Sequence, residues 1–145
     1  MNKRTITIES QGKTYGGQIG VIKSTRLGYD QDRGIFTAWI SVEWKGGGVG
    51  VGGISLDAPP TPEANTSNRI ATAFGHDHII KILDTVGVRN WESLVGKHVI
   101  VLFSGESAWG SASVGIASAT DEDKVLVFSK HAEHFREALA EEVQA

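Results

Sequence analysis

Five residues of this chain have the side chains that a site for a flat, anionic ligand uses: Arg26, Trp39, Lys45, Arg69 and Trp109. A guanidinium or an ammonium pairs with phosphate, and an indole offers a face on which a heterocycle stacks. Trp109 stands in a Gly/Ser-rich loop, SGESAWGSAS, where a large aromatic has no evident packing task. Trp39 lies on the mixed face of an alternating strand, with Arg26, Arg33, Lys45 and Arg69 near it in sequence. The other two tryptophans, Trp44 and Trp91, are most simply core. An oligomer interface would use the same aromatics.

Other groupings that suggest chemistry fail on spacing. Gly48, Gly50 and Gly53 spell G-x-G-x-x-G, but a dinucleotide loop must open a helix. Here ISLDAPP follows, a strand and then prolines. Gly12-Lys13-Thr14 ends like a phosphate-binding loop, yet its first glycine position holds Thr7. His76 and His78 would point about 200° apart on a helix and cannot share one metal. His131 and His134 have no carboxylate clearly placed to complete a site, so solvated or core-edge histidines are the better reading. Ser107 is not in a nucleophile elbow, because Trp109 takes the place of the second glycine. Asp30 with Asp32, and Asp121 with Asp123, read as turn formers. The expectation is a protein that is not an enzyme and uses no cofactor and no metal.

These residues must be positioned by short strands and a helix. Residues 35–44 alternate strictly: Phe36, Ala38, Ile40, Val42 and Trp44 face a core, and Ile35, Thr37, Trp39, Ser41 and Glu43 face the other way. Six glycines follow within Gly46–Gly53, read as a glycine-rich hairpin. Val49 and Val51 then have one parity and Ile54 and Leu56 the other, the slip that a β-bulge at Gly52-Gly53 produces. Upstream, Thr5–Ile8 suggests an edge strand, Gly16-Gly17 a turn, Ile19–Ser24 a short strand and Thr25–Gly34 a polar loop. Downstream, the prolines of 58–65 make an extended connection. Ser67 caps a helix carrying Ile70, Ala71, Phe74, Ile79, Ile82, Leu83 and Val86, with Gly87 as its stop. Asn90 caps a single turn, Trp91–Leu94. Strands are expected at His98–Phe103, around Val114 and Ile116, and at Lys124–Phe128, with Ser129 capping a C-terminal helix. The pattern predicts an α+β fold: an antiparallel, glycine-rich twisted sheet packed by one central amphipathic helix, plus the C-terminal helix. It forms one domain over 1–145, with 1–18 an edge strand or extension, 19–128 the core and 129–145 the last helix.

Composition limits the function classes. A chain of 145 residues can bury roughly 70% of its unfolded surface. It has no cysteine, hence no disulfide, thiolate metal site or cysteine nucleophile. Net charge is −3, with the pI near 5.9 and no long basic run, so nucleic acid is not an expected partner. No apolar run approaches the ~20 residues of a membrane span, and MNKRTITIES has no apolar core of a signal peptide. The expected location is the cytoplasm, with no membrane partner.

The run KSTRLGYDQDRGIFTAWISVEW, the block GGGVGVGGISLD, and RIATAFGHDHIIKILDTVGVRNWESLVGKHVIVLF together resemble a family of small proteins encoded by tailed bacteriophages and prophages. The likeness lies in Asp32–Ile35, Gly46–Asp57, Thr72–Gly75 and Trp91–Lys97, and covers roughly residues 21–117. His76 departs from the apolar or Met residue usual there. The family has no firmly assigned activity, so no catalytic residue carries over. Small acidic phage proteins without catalytic motifs are often counter-defence factors. One class of these resembles molecular sponges, oligomers that sequester the nucleotide signals of bacterial immunity. The implied function is a homo-oligomeric, phage-encoded binder of a small nucleotide-like ligand in the host cytoplasm. The alternative is a protein–protein interaction module, either a host-enzyme inhibitor or a virion accessory protein.

Overall fold

The structure is a computed structural model and describes residues 6–61, 68–104 and 112–144, with the side chains of the last helix described as far as Arg136. The fold is mixed α+β, as the pattern predicts. Among the described residues an antiparallel sheet of seven strands runs in the order β4 (Gly47–Gly52), β3 (Ile35–Trp44), β2 (Lys13–Asp30), β7 (His98–Phe103), β8 (Ser113–Ser118) and β9 (Val125–Val127), with β1 (Ile6–Ser10) beside β2. Two helices accompany it, α1 (Ala73–Val86) and α2 (Phe128–Gln144).

The largest difference from the sequence reading is β2. It runs without a break over Lys13–Asp30, where a turn, a short strand and a loop were expected. The turn lies earlier, at Gln11-Gly12, and joins β2 to β1 (Ile6–Ser10). Gly17 and Gly20 are contact points in the strand instead of breaks. A Cβ on Gly17 would lie 2.9 Å from Ile100 Cγ2, and one on Gly20 only 2.6 Å from Val42 Cγ1. Past Lys23, the extra residue at a register shift, the polar run stays extended because each residue has a partner on β3 (Ile35–Trp44), from Ser24 opposite Ser41 to Asp30 opposite Ile35. Only residues 31–34 turn, closed by Gly34 N–H donating to Asp30 O at 2.7 Å.

β3 has the bounds its alternation predicts. Ala38, Ile40 and Val42 are buried on one face, while Trp39 and Ser41 are half-buried and Glu43 exposed on the other. Thr37, on that other face, is buried as well, and its hydroxyl donates to Ile54 O at 2.8 Å. The glycine block is itself a strand, β4 (Gly47–Gly52). Past Gly53 the chain keeps bonding to β3, from Gly53 N–H to Ala38 O and from Leu56 N–H to Phe36 O. Three steps on one side match two on the other, so the one-residue slip lies between Gly53 and Leu56, just past Gly52-Gly53, where it was expected.

β5 (Asp57–Ala58) pairs with β6 (Ile70–Ala71) in a separate two-stranded sheet. Ile70 and Ala71 are therefore strand, not helix. Ser67 lies outside the described residues, and the cap of α1 is Thr72, whose Oγ1 accepts from Gly75 N–H at 2.9 Å. The helix cannot start earlier, because Thr72 also donates both its N–H and its hydroxyl to Leu56 O. Gly75 lies so close to Leu56 that a Cβ would overlap its carbonyl. Gly87 ends α1 at φ 90° as expected, with its own N–H and that of Val88 on Leu83 O.

A 3-10 turn at Trp91–Ser93 leads to β7 (His98–Phe103), then β8 (Ser113–Ser118) and β9 (Val125–Val127). α2 begins directly at Phe128, so Ser129 sits inside its first turn instead of capping it. The sheet curls until β4 approaches β8, where Ser113 Oγ lies 3.4 Å from Gly50 O. Ile22, Ile40, Val42, Val51, Val99, Val101 and Ile116 fill the interior together with Ile82 of α1 and Leu94. On the opposite face Tyr15, Ile100, Leu102, Ala117 and Val127 form a second cluster, joined by Ile6 and Ile8 of β1. β7 is thus apolar at every inward position because both its faces are covered. Each fully buried aliphatic contributes about 1.5–3 kcal/mol. Among the described residues no helix is long and apolar enough to cross a membrane.

Candidate functional site

The outer face of β2, β3 and β4 carries the residues that the sequence singles out. Pairing in register sets Arg26 opposite Trp39 and Ser24 opposite Ser41. On the far side of β3, Gly52 stands opposite Trp39 and Gly50 opposite Ser41. Side chains of directly opposed residues share a face. A groove of ≈ 350 Å³ results, lined by Ser24, Thr25, Arg26, Trp39, Ser41 and Gly50.

The glycines of β4 set the pose of the indole. A Cβ on Gly53, where φ is +83°, would come within 2.4 Å of Trp39 Cζ2, and one on Gly50 within 3.4 Å of its Cε3. Trp39 therefore lies across bare backbone. Trp44 does the same over Gly47, where a Cβ would lie 2.9 Å from its Nε1, while its ring packs against the interior core as expected. Glycine density in this block is what two tryptophans of β3 require in order to lie down on the neighbouring strand. Arg26 is exposed beside Trp39 and donates from one guanidinium nitrogen to Tyr29 O at 3.3 Å, with its further donors unengaged among the described residues. A ring face, a guanidinium fork and the hydroxyls of Ser24 and Ser41 can together stack a heterocycle, pair an anion and bond a polyol.

Of the five residues expected at the site, two meet in this groove. Lys45 lies on the β3–β4 turn and Arg69 beside β6, and neither lines it. Trp109 lies outside the described residues. Arg69 is engaged elsewhere: its Nη2 donates to Ser55 Oγ at 3.0 Å and Asp57 O at 2.7 Å and pairs with Asp57 Oδ1 at 3.0 Å. Asp57 Oδ1 also accepts from Phe36 N–H and from the Ser55 hydroxyl. Burial would raise the Asp57 pKa, but the bonds from Arg69, Phe36 and Ser55 outweigh it and hold the carboxyl below its ordinary value.

A second polar cluster went unread in the sequence. Asp77 Oδ2 lies 2.6 Å from His131 Nε2, and the His131 ring packs 5.2 Å from Phe74 and 6.2 Å from His78, centroid to centroid. His78 is fully buried and, among the described residues, neither ring nitrogen has a partner. His76 is exposed, so the two histidines of α1 diverge as their spacing predicts. The available signal was that His78 continues the stripe of Phe74 and Ile82 at steps of four. No group of three or more metal-ligating side chains comes together among the described residues.

Compared with known protein families, with curated proteins and with solved structures, the chain matches none.

Proposed function

We propose that this is a phage-encoded, non-catalytic binding protein that sequesters a small nucleotide-like signalling ligand in the host cytoplasm and so counters bacterial immunity. The observation that carries this reading is the pairing of Arg26 with Trp39 in one groove, with serine hydroxyls beside them. A glycine-rich twisted sheet packed by its central helix gives such a groove a rigid floor, and the ligand pays little to order it. The base stacks on Trp39 and the phosphate pairs with Arg26. Lys45 and Trp109 serve only if they reach the groove's rim. Arg69 holds Asp57 and contributes through the scaffold.

The test is calorimetry of the purified protein against cyclic nucleotides and cyclic ADP-ribose isomers. One of these is expected to bind and to be recovered intact after denaturation. Trp39→Ala should weaken binding by about 1–3 kcal/mol, the usual loss for a stacked base. Arg26→Ala should cost a similar amount through the lost charge-assisted bonds. No heat and no retention across the panel would sink the reading, and a chemically altered ligand would make the protein an enzyme. One observation favours a protein-binding module as the second reading: Leu27 and Tyr29, on the face of β2 opposite the groove, are exposed.

A further inference from the structure

The edge of β2 beyond Ile22 carries main-chain groups that the fold does not use. Their direction follows from the bonds on the far side of β3. Ala38 O accepts from Gly53 N–H, Phe36 O accepts from Leu56 N–H, and Phe36 N–H donates to the Asp57 carboxylate. Phe36 and Ala38 thus turn their main chain away from β2. Thr37 and Trp39 turn theirs toward it and meet Gly28 and Arg26. Strand alternation then sends the N–H and C=O of Thr25, Leu27 and Tyr29 outward, away from β3.

The start of that edge is closed. Ile22 bonds to Lys97 O at 2.9 Å and to Gly96 N–H at 2.8 Å, and Trp91 Nε1 donates to Thr25 Oγ1 at 3.1 Å. Farther along, the outward groups of Leu27 and Tyr29 have, among the described residues, only the Arg26 guanidinium on Tyr29 O. Leu27 is 38% and Tyr29 63% exposed. An unpaired strand edge of this kind is a template for another strand.

We infer that this edge pairs with the same edge of a second copy, antiparallel about a two-fold axis through Gly28. In that register Leu27 of each copy stands opposite Tyr29 of the other, and each such pair exchanges both main-chain bonds. Arg26 of each stands opposite Asp30 of the other, a carboxylate that also holds Arg33 Nε at 2.8 Å in its own copy, so opposite charges meet twice beside that pair. Gly28 meets Gly28, and nothing lies within 4 Å of where its Cβ would be, so the strands can close there. Charge selects this register and this occupant: an axis through Arg26 would oppose two guanidinium groups, and an axis through Leu27 would leave Arg26 opposite glycine. The contact is isologous, so it closes as a dimer. Its axis is normal to the sheet, which sets both Arg26–Trp39 grooves on one face of a continuous sheet. The pairing rests on the strand edge and not on a ligand, and it shares Arg26 with the groove.

Sedimentation velocity across the micromolar range, with amide exchange at both ends of it, tests this. The wild type should shift from monomer to dimer, and exchange at Leu27 and Tyr29 should slow about tenfold as concentration rises. Leu27→Pro removes an outward N–H and no bond to β3, so it should remain monomeric with an unchanged circular dichroism spectrum. Arg26→Glu should weaken the dimer. A wild type that stays monomeric, or a dimer whose Leu27 and Tyr29 amides exchange no slower than in the monomer, would overturn the inference. So would a folded Leu27→Pro variant that dimerises like the wild type. If Leu27→Pro fails to fold, the exchange measurement on the wild type decides.

Discussion

The imidazole of His78 is enclosed by Phe74, Phe128 and His131, with both nitrogens unbonded among the described residues, so its charge state decides what it costs. Burial, with a smaller push from His131 and some opposition from Asp77, lowers its pKa from 6.5 to about 4. The unfolded chain therefore takes up a proton near pH 6.5 that the folded protein refuses until about pH 4. Stability is full above that window, falls as pH drops through it and levels off below. The loss attributable to this one group is about 3 kcal/mol. Urea midpoints between pH 7 and pH 4 should show that slope in the wild type and a flatter one in His78→Phe. At pH 7 that variant should be as stable as the wild type or more so, since it removes unpaired polar atoms from an apolar site. Equal slopes in the two proteins would rule this account out. Trp39 was legible at this scale because strand parity places a side chain on a face; Arg26 was singled out by its chemistry and its nearness in sequence, since its segment read as a polar loop. His78 with His131 was not, because their meeting depends on how α2 packs against α1.

Asp57 and Thr72 act as joints between elements. The Asp57 carboxylate takes the place of a strand partner for Phe36 at the end of β3, and Arg69 ties it to the segment before α1. Thr72 then fastens the start of that helix to Leu56. Replacing Arg69 by Met would leave a buried carboxylate with one partner removed. The expected cost is about 3 kcal/mol in denaturant unfolding at pH 7, recovered in part by adding Asp57→Asn. A cost no larger than that of an exposed arginine would show that the pair is not structural. The sequence predicted β3 and β7 with their bounds because each has one consistent pattern, alternating in the first and continuous in the second. It misread β2 because that strand changes neighbours along its length. Its glycines serve packing there, and its polar half lies on an open face. The start of α1 was misplaced for a similar reason: Ile70 and Ala71 fit a helical stripe, but the Leu56 carbonyl holds Thr72 and Gly75 where only the later start fits.

At the scale of the whole molecule, the α+β class was legible and the curl of the sheet was not, since no local pattern records that β4 comes back to β8. The sheet joins two runs that are each local in sequence. β1 to β4 lie within residues 6–52 and pair in consecutive hairpins, and β7 to β9 do the same within 98–127. Among the described residues, the ladder from Gly16 opposite Phe103 to Val21 opposite His98 is the one that joins the two runs in one sheet. A chain cut in the 59–69 connection should therefore give two fragments that reassociate and recover the near-ultraviolet circular dichroism of the intact protein. Fragments that ignore each other would show that continuity of the chain is needed to hold the halves together. The same ladder has a consequence in time. Its partners lie more than half the chain apart, whereas each hairpin closes over a short loop. Loop closure of that length delays its pairing, so β2 meeting β7 is the slow event in folding, and substitutions at Val99 or Val101 should change the folding rate more than those at Ile40 or Val42.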